Sequence, residues 1–428
     1  MPNEQRALAT IETILGVEPI PDADKIERAR IRGWSVVTRK GEFKPGDLCV
    51  FFEIDSVLPE HERYAFLKDA WKDSLKGYRL RTKKMRGQIS QGLAIPISKF
   101  EEEEVVNATL KDVGKDVTQA LGVTLYVPPV AASMNAAQKG AFPHFIPKTD
   151  EERVQNVNTK HFLSVLKEAY DYDGAAYINQ AKGVDMLDVL IDEGKDLVKG
   201  GPDSEDPMTP GAVYYVSEKL DGTSITLYVH EGEWGFCSRN YELKYDEEAT
   251  DVYNRVVRDK ELATKLVETS RTIQNNAYPL PTNFAIQGEI VGLGVQGNPY
   301  KLEKLELFVF SIFDIDAQEY IAVDSMIQLS SLLSLLTCPF RSVTPTPFVT
   351  HSLYGDRDNF QHAFDNPLEE EGFLQKAALR SMSSHQSALN YSAIPEGEVY
   401  RPFWSIPRAF KELLSFKVIN NRYLLKEK

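Results

Sequence analysis

The chain has 428 residues, 42% of them hydrophobic and 26% charged, and a formal net charge of −14. That length suits two or three domains with ordinary cores. The acidic balance argues against a protein that coats nucleic acid by bulk attraction, while leaving room for a local basic groove.

No apolar run approaches the ~18–20 residues that span a bilayer. The first residues lack a basic start followed by an apolar stretch, so no secretory signal is read. Cys49, Cys237 and Cys338 are too far apart for a disulfide framework or a zinc cluster by spacing. The expectation is a reducing compartment, cytosol or nucleus, and no membrane partner.

From residue 8 to about 98 the chain reads as short strands: "ATIETILGVEPI", "DADKIERARI", "GWSVVTRKGEF", "GDLCVFFEI" and "QGLAIPI". Turn signals at Pro21-Asp22, Gly33, Lys40-Gly41, Pro45-Gly46 and Gly87 divide them. This spacing predicts a small barrel of the OB type, and SH3-like barrels share it. "GYRLRTKKMRGQ" carries Arg79, Arg81, Lys83, Lys84 and Arg86 with no acid among them. Alternation puts Arg79, Arg81 and Lys83 on one strand face. Two readings stand: a phosphate-binding stripe, or an edge strand kept soluble by cations.

An acidic run at 101–104 marks a connecting loop, and "VTLYVPPVAASMNAAQKGAFP" reads as linker. A polar helical stretch follows, closed by the breaker "KGGPDSEDPMTPG". Beyond it "AVYYVSEKL" and "TSITLYVH" alternate as strands, and residues 247–275 have helical periodicity. "NFAIQGEIVG" and "KLELFVFSIFDI" are buried-type strands. Residues 317–394 read as an insertion with helices around "SMIQLSSLLSLL" and "EEEGFLQKAALRSM", and the C-terminal stretch returns to strand.

Within "VSEKLDGTSI", Lys219 and Asp221 flank Leu220 just before Gly222. One reading is a solvated hairpin edge with its turn at Asp221-Gly222; the other is a nucleophilic lysine. Glu289 lies inside an apolar strand, as a site carboxylate or half of a buried ion pair. Glu396 follows Pro395, as a turn residue or a site residue. The sequence distance between Glu289 and Glu396 excludes a local loop site and predicts adjacent strands. Arg239 sits in a polar turn. Phe310 and Phe313 are expected on opposite faces of one strand, so that only one lines a pocket.

Lys219-Leu220-Asp221-Gly222 resembles the KxDG motif of covalent nucleotidyltransferases, the ATP-dependent ligases and mRNA-capping guanylyltransferases. Ordered companions follow: "CSRNYE" with Arg239, "IQGEIVG" with Glu289, "LFVFSIFDI" with its aromatics, "EGEVYR" with Glu396 and "LSFKVIN" with Lys417. "GQISQGLAIPI", "FIPKTDEERVQN" and "GEIVGLGVQGNPY" add a similarity to RNA ligases with an N-terminal OB domain. The similarity covers roughly 1–160, 210–316 and 394–428.

The resemblance implies an α+β chain: an OB-type RNA-binding barrel over 1–125, a linker and helical insertion over 126–210, and an antiparallel-sheet ligase domain over 211–428 with an insertion near 317–394. It implies a monomer that joins RNA 3′-hydroxyl and 5′-phosphate ends, with ATP as AMP donor and Mg²⁺ or Mn²⁺. Lys219 would be the nucleophile and Lys417 a second catalytic cation. Asp221, Gly222, Arg239, Phe310 or Phe313, and Lys417 would hold the nucleotide. Glu289, Glu396 and Asp221 would hold metal, and the basic cluster of the barrel would hold RNA. A capping-type guanylyltransferase and a non-catalytic RNA-binding protein are the alternatives. One departure is Ile419, where many family members carry a second lysine; Arg422 and Lys426 are the nearby cations.

Overall fold

The computed structural model describes residues 6–100, 112–127, 136–157, 213–345, 386–403, 405–408 and 414–426. The helices expected within 165–205 and around 370–382 lie outside these residues. The described residues fall into two compact units, one of 6–127 with 421–426 and one of 136–420.

The first unit is a small β structure with an OB-fold topology. Strands β1 (Ala9–Thr13), β2 (Gly16–Pro19), β3 (Ile26–Ile31), β4 (Trp34–Arg39) and β5 (Leu48–Phe52) lead into β6 (Ser56–Pro59). Then come β7 (Trp71–Lys72), β8 (Gly77–Arg79), β9 (Lys83–Met85), β10 (Gln88–Ser90), β11 (Leu93–Pro96) and β12 (Thr124–Leu125). They pair as β1-β5-β11, β2-β3-β4, β12-β6-β8-β7 and β10-β9. Ile11, Val50, Phe52, Leu58 and Phe100 lie in its core. "ATIETILGVEPI" is two strands: Ile14 and Leu15 donate to Asp47 and Arg30 carbonyls, so the chain changes sheet there.

The basic stretch does not form one strand. β8 ends at Arg79 and β9 starts at Lys83, and Arg86-Gly87 makes the hairpin turn to β10 with φ of 49° and 82°, as a two-residue primed turn requires. The alternation assumed across the segment is therefore broken. Arg79 packs its guanidinium on the Tyr126 ring, 3.5 Å from the centroid, with its side chain 10% exposed. Lys83, Lys84 and Arg86 are exposed on the hairpin.

The second unit holds two sheets. One runs β13 (Gln138–Ala141), β18 (Tyr241–Leu243), β17 (Glu233–Cys237), β16 (Thr223–His230), β19 (Phe284–Val291), β20 (Glu306–Asp314), β21 (Glu319–Tyr320), β25 (Ile406–Pro407), with β22 (Leu336–Thr337) beside β20. The other runs β14 (Glu152–Arg153), β26 (Phe416–Ile419), β24 (Gly397–Pro402), β15 (Val213–Lys219), β23 (Phe340–Pro345). The stretch expected as linker thus supplies β13 and β14, and part of the expected insertion supplies β21, β22 and β23. Helices α1 (Val252–Asp259), α2 (Leu262–Asn276) and α3 (Val323–Leu332) cover one sheet face, their Val256, Leu266 and Leu329 packing with Ile225, Leu227, Ile286 and Val309. The helical pattern of 247–275 is interrupted at Glu261, whose φ is +55°. Asp251 caps α1 by accepting from the Tyr253 and Asn254 amides.

Candidate active site

β15 and β16 follow one another in sequence and belong to different sheets. β15 pairs with β23 and β24, whereas β16 pairs with β17 and β19. Leu220-Asp221-Gly222 is therefore a crossing between sheets, and the hairpin reading of this segment is excluded. Leu220 is buried with Val291, Tyr300, Phe308 and Cys338, and the Asp221 amide donates to the Tyr300 hydroxyl at 2.6 Å. A Cβ on Gly222 would lie 2.3 Å from the Ile290 carbonyl and 2.8 Å from Glu289 Cγ. Glycine is needed there because the crossing runs directly against β19.

This crossing sets Lys219 at the end of one sheet beside Glu289 of the other. Glu289 and Glu396 are not on adjacent strands: Glu289 is in β19, and Glu396 immediately precedes β24. Lys219 Nζ donates to Glu396 Oε1 at 2.5 Å, the two side chains being 27% and 17% exposed. Burial is the largest influence on the Lys219 amine and pulls its pKa down, but Glu396, Glu289 and Asp221 together leave it raised. With these partners the lysine is an ammonium ion held by acids. Glu289 shows the other side of this imbalance. Burial raises its carboxyl to about 8, with Glu396 and Asp221 adding to the rise and Lys219 opposing it.

Lys417 lies in β26 and Arg239 in the turn after β17. Asp150, just before β14, joins them: its Oδ1 accepts from Lys417 Nζ at 2.6 Å and its Oδ2 from Arg239 Nη2 at 2.7 Å. Burial works to raise the Asp150 carboxyl, but Lys417 and Arg239 hold it far below the usual carboxylate range. Burial lowers the Lys417 amine, with Asp150 opposing.

A family model for RNA ligases matches residues 212–419, and one for an OB-fold domain matches residues 8–97. A mutant of the Naegleria gruberi RNA ligase solved with AMP and Mn is 30% identical, with 99% of each chain covered and a TM-score of 0.69. A second mutant with ATP and Mn is 29% identical over 98% of this chain and 99% of that one, and the same ligase with pyrophosphate is 29% identical over 99% of both, each with a TM-score of 0.69. The chain belongs to the RNA ligase family. No curated protein matches it.

Two features of this RNA ligase depart from its sequence pattern. Gln287 pairs with Ser311 and Gly288 with Val309, leaving Phe310 as the extra residue of a β-bulge. The bulge resets the alternation, so Phe313, opposite Ala285, and Phe310, packed with Val291 and Phe308, share the face of Glu289. Phe313 is fully buried in edge contact with Tyr320. Phe310 is half-buried, with the Arg401 guanidinium 5.0 Å from its ring centroid. The second departure is Ile419, which pairs with Gly397 and is buried. An apolar side chain fills that position of the strand, and Lys417 is its only lysine. Asp150 is the residue that sequence reasoning missed, although it lies in the quoted "KTDEERVQN".

Proposed function

We propose that this RNA ligase seals RNA nicks, joining a 3′-hydroxyl to a 5′-phosphate through a Lys219–AMP intermediate made from ATP. The observation that carries the reading is Lys219 Nζ at the seam of the two sheets, bonded to Glu396 and flanked by Glu289 and Asp221. The Naegleria ligase structures with ATP, AMP, pyrophosphate and Mn support nucleotide and metal as the reactants and cofactor.

Among the described residues no three acids, histidines or cysteines close into a cage. Mg²⁺ and Mn²⁺ sites of this kind need only one or two carboxylates beside waters and phosphates, and Glu289 is a half-buried carboxylate with Glu396 and Asp221 close enough to act on it, a donor set that suits a hard divalent cation. Glu289 and Asp221 would hold it, with Glu396 contributing once released from Lys219. Its contribution would be positive charge beside the phosphates.

For adenylylation, an ammonium must first lose a proton, a handicap of about 4–5 kcal/mol at neutral pH for an ordinary lysine. Glu396 is within reach to accept it. The amine then attacks the α-phosphorus, the N–P bond forms, and the bond to pyrophosphate breaks. Next, the RNA 5′-phosphate takes the AMP, regenerating Lys219. Finally the 3′-hydroxyl attacks that phosphate and AMP leaves. Arg239 and Lys417 would hold the nucleotide phosphates, and Phe310 would stack on the base, since Phe313 has no exposed surface. Gly222 keeps the crossing clear of side chain. The RNA would lie along Lys83, Lys84 and Arg86 of the barrel, with Arg81 beside them, and the protein would act as a monomer.

Incubation with ATP and Mn²⁺ should add one AMP to the protein by mass spectrometry. Lys219→Ala and Lys219→Arg should both abolish the adduct, the second because a guanidinium cannot discharge at neutral pH. An adduct on another lysine, or label from GTP alone, would overturn the reading.

A further inference from the structure

Asp150 lies in the quoted "FIPKTDEERVQN" and was given no role there, yet it is the acid on which two cations of the other motifs converge. We propose that Asp150 is a resident anion: it stands in for a phosphate between Arg239 and Lys417, and the polyphosphate of an incoming nucleotide displaces it. The proposal rests on the reading of Arg239 and Lys417 as phosphate contacts.

Its two oxygens divide the cations between them, one short charge-assisted bond each, at 2.6 and 2.7 Å. Two non-bridging phosphate oxygens would use the same donors in the same way. The exposures differ in a telling direction. The Asp150 side chain is 54% exposed and Arg239 59%, whereas Lys417 is only 16% exposed. Asp150 can rotate into water and be solvated there. Lys417 cannot follow it, and an ammonium left buried without an anion is costly. Departure of the carboxylate is therefore coupled to arrival of another anion, which makes the event an exchange and not an addition.

The backbone around Asp150 is fixed on both sides, so only the side chain needs to move. Gln287 Nε2 donates to the Pro147 carbonyl at 2.8 Å, and Glu151 holds Arg401 at 3.0 Å. Glu152 and Arg153 pair with Phe416 and Lys417 as β14 and β26. The chemical use of such a device is selection. A single weakly charged anion gains little by replacing a carboxylate already in place, whereas a triphosphate or pyrophosphate brings enough charge to win both cations at once.

The test is calorimetric binding of pyrophosphate and of α,β-methylene-ATP to the full chain. Asp150→Asn should tighten both by about fivefold or more, and should create measurable binding of inorganic phosphate. Glu152→Gln removes the same charge from the same segment without touching either cation, and should change affinity less than about twofold. In a Lys417→Met background the gain from Asp150→Asn should vanish. Asp150→Ser provides a second variant if the asparagine protein is poorly folded. Unchanged or weaker binding in Asp150→Asn would overturn the proposal by making Asp150 a brace for the cations. An equal gain in Glu152→Gln would overturn it by reducing the effect to bulk charge. Wild-type affinity in Arg239→Ala and Lys417→Met would instead refute the phosphate-contact reading beneath it.

Discussion

In the barrel, Glu53 is 1% exposed and accepts from Arg6 and Arg32, and Glu12 pairs with Arg32 at 3.4 Å. In the catalytic unit, Lys219 faces Glu396, Glu289 and Asp221. Both are clusters of partly or fully buried charge, but they differ in balance and in chemistry. The barrel matches its acids with arginines, which keep their protons at any ordinary pH. The catalytic unit surrounds a lysine, which can be discharged, with more acid than it can neutralise. The first arrangement holds a fold together; the second is under charge tension that ligands and proton loss can release.

The largest effect expected from breaking this contrast is at Glu289. Its folded pKa, about 8, lies above the ordinary ~4.3 of an unfolded glutamate. The folded state therefore binds more protons between those values, and the stability it gains from this is fully present below ~4.3 and lost as pH rises toward 8. Glu289→Gln does not titrate, so its stability relative to wild type should grow by roughly 1–3 kcal/mol between pH 5 and 9 in chemical denaturation. Its sealing activity should fall by about 100-fold, the scale of losing one charge-stabilising group. A variant that is neither more stable at high pH nor less active would show that Glu289 is an ordinary strand residue.

The barrel should answer in the opposite way. Glu53→Gln takes the carboxylate from Arg6 and leaves Arg32 with Glu12, and should cost about 3 kcal/mol in urea unfolding, while Lys219–AMP formation below the melting temperature stays at the wild-type rate. A loss of adenylylation without a loss of stability would contradict the division of labour.

A smaller effect sharpens the comparison within the barrel itself. Reversing Lys83, Lys84 and Arg86 to glutamate should lower the slope of log affinity for nicked RNA against log salt by about 0.7–0.9 per lost phosphate contact. Arg79→Ala should leave that slope alone and reduce thermal stability, because Arg79 stacks on Tyr126. An unchanged slope in the triple reversal would make the hairpin a solvated edge.

Much of the site was legible because its motifs are short and rigidly ordered: Lys219, Glu289 and Glu396 share one electrostatic neighbourhood, and Lys417 and Arg239 share Asp150. What the sequence hid were features that periodicity does not encode. A one-residue bulge put Phe310 and Phe313 on the same face. The break between β8 and β9 separated Arg79 from Lys83. The partition of β15 and β16 into two sheets, which decides that Glu289 and Glu396 are not strand neighbours, depends on long-range pairing with residues far along the chain. Asp150 has no spacing signature, since its significance comes only from two cations supplied by other strands. In the barrel the strand pattern was recognisable, but the change of sheet at Ile14-Leu15 was not, because both halves continue the same alternation.

The crossing at Leu220-Asp221-Gly222 also limits how this enzyme can be altered. Surface loops usually accept extra residues, and protein engineers use them for insertions, tags and split points. This connection lies at the surface of neither sheet: Leu220 is buried, the Asp221 amide is tied to Tyr300, and Gly222 has no room for a methyl group against Ile290. A single added residue would let Lys219 drift from Glu396, Glu289 and Asp221. This three-residue link is thus also a ruler, since the spacing between lysine and glycine sets where Lys219 stands against Glu289 of the other sheet.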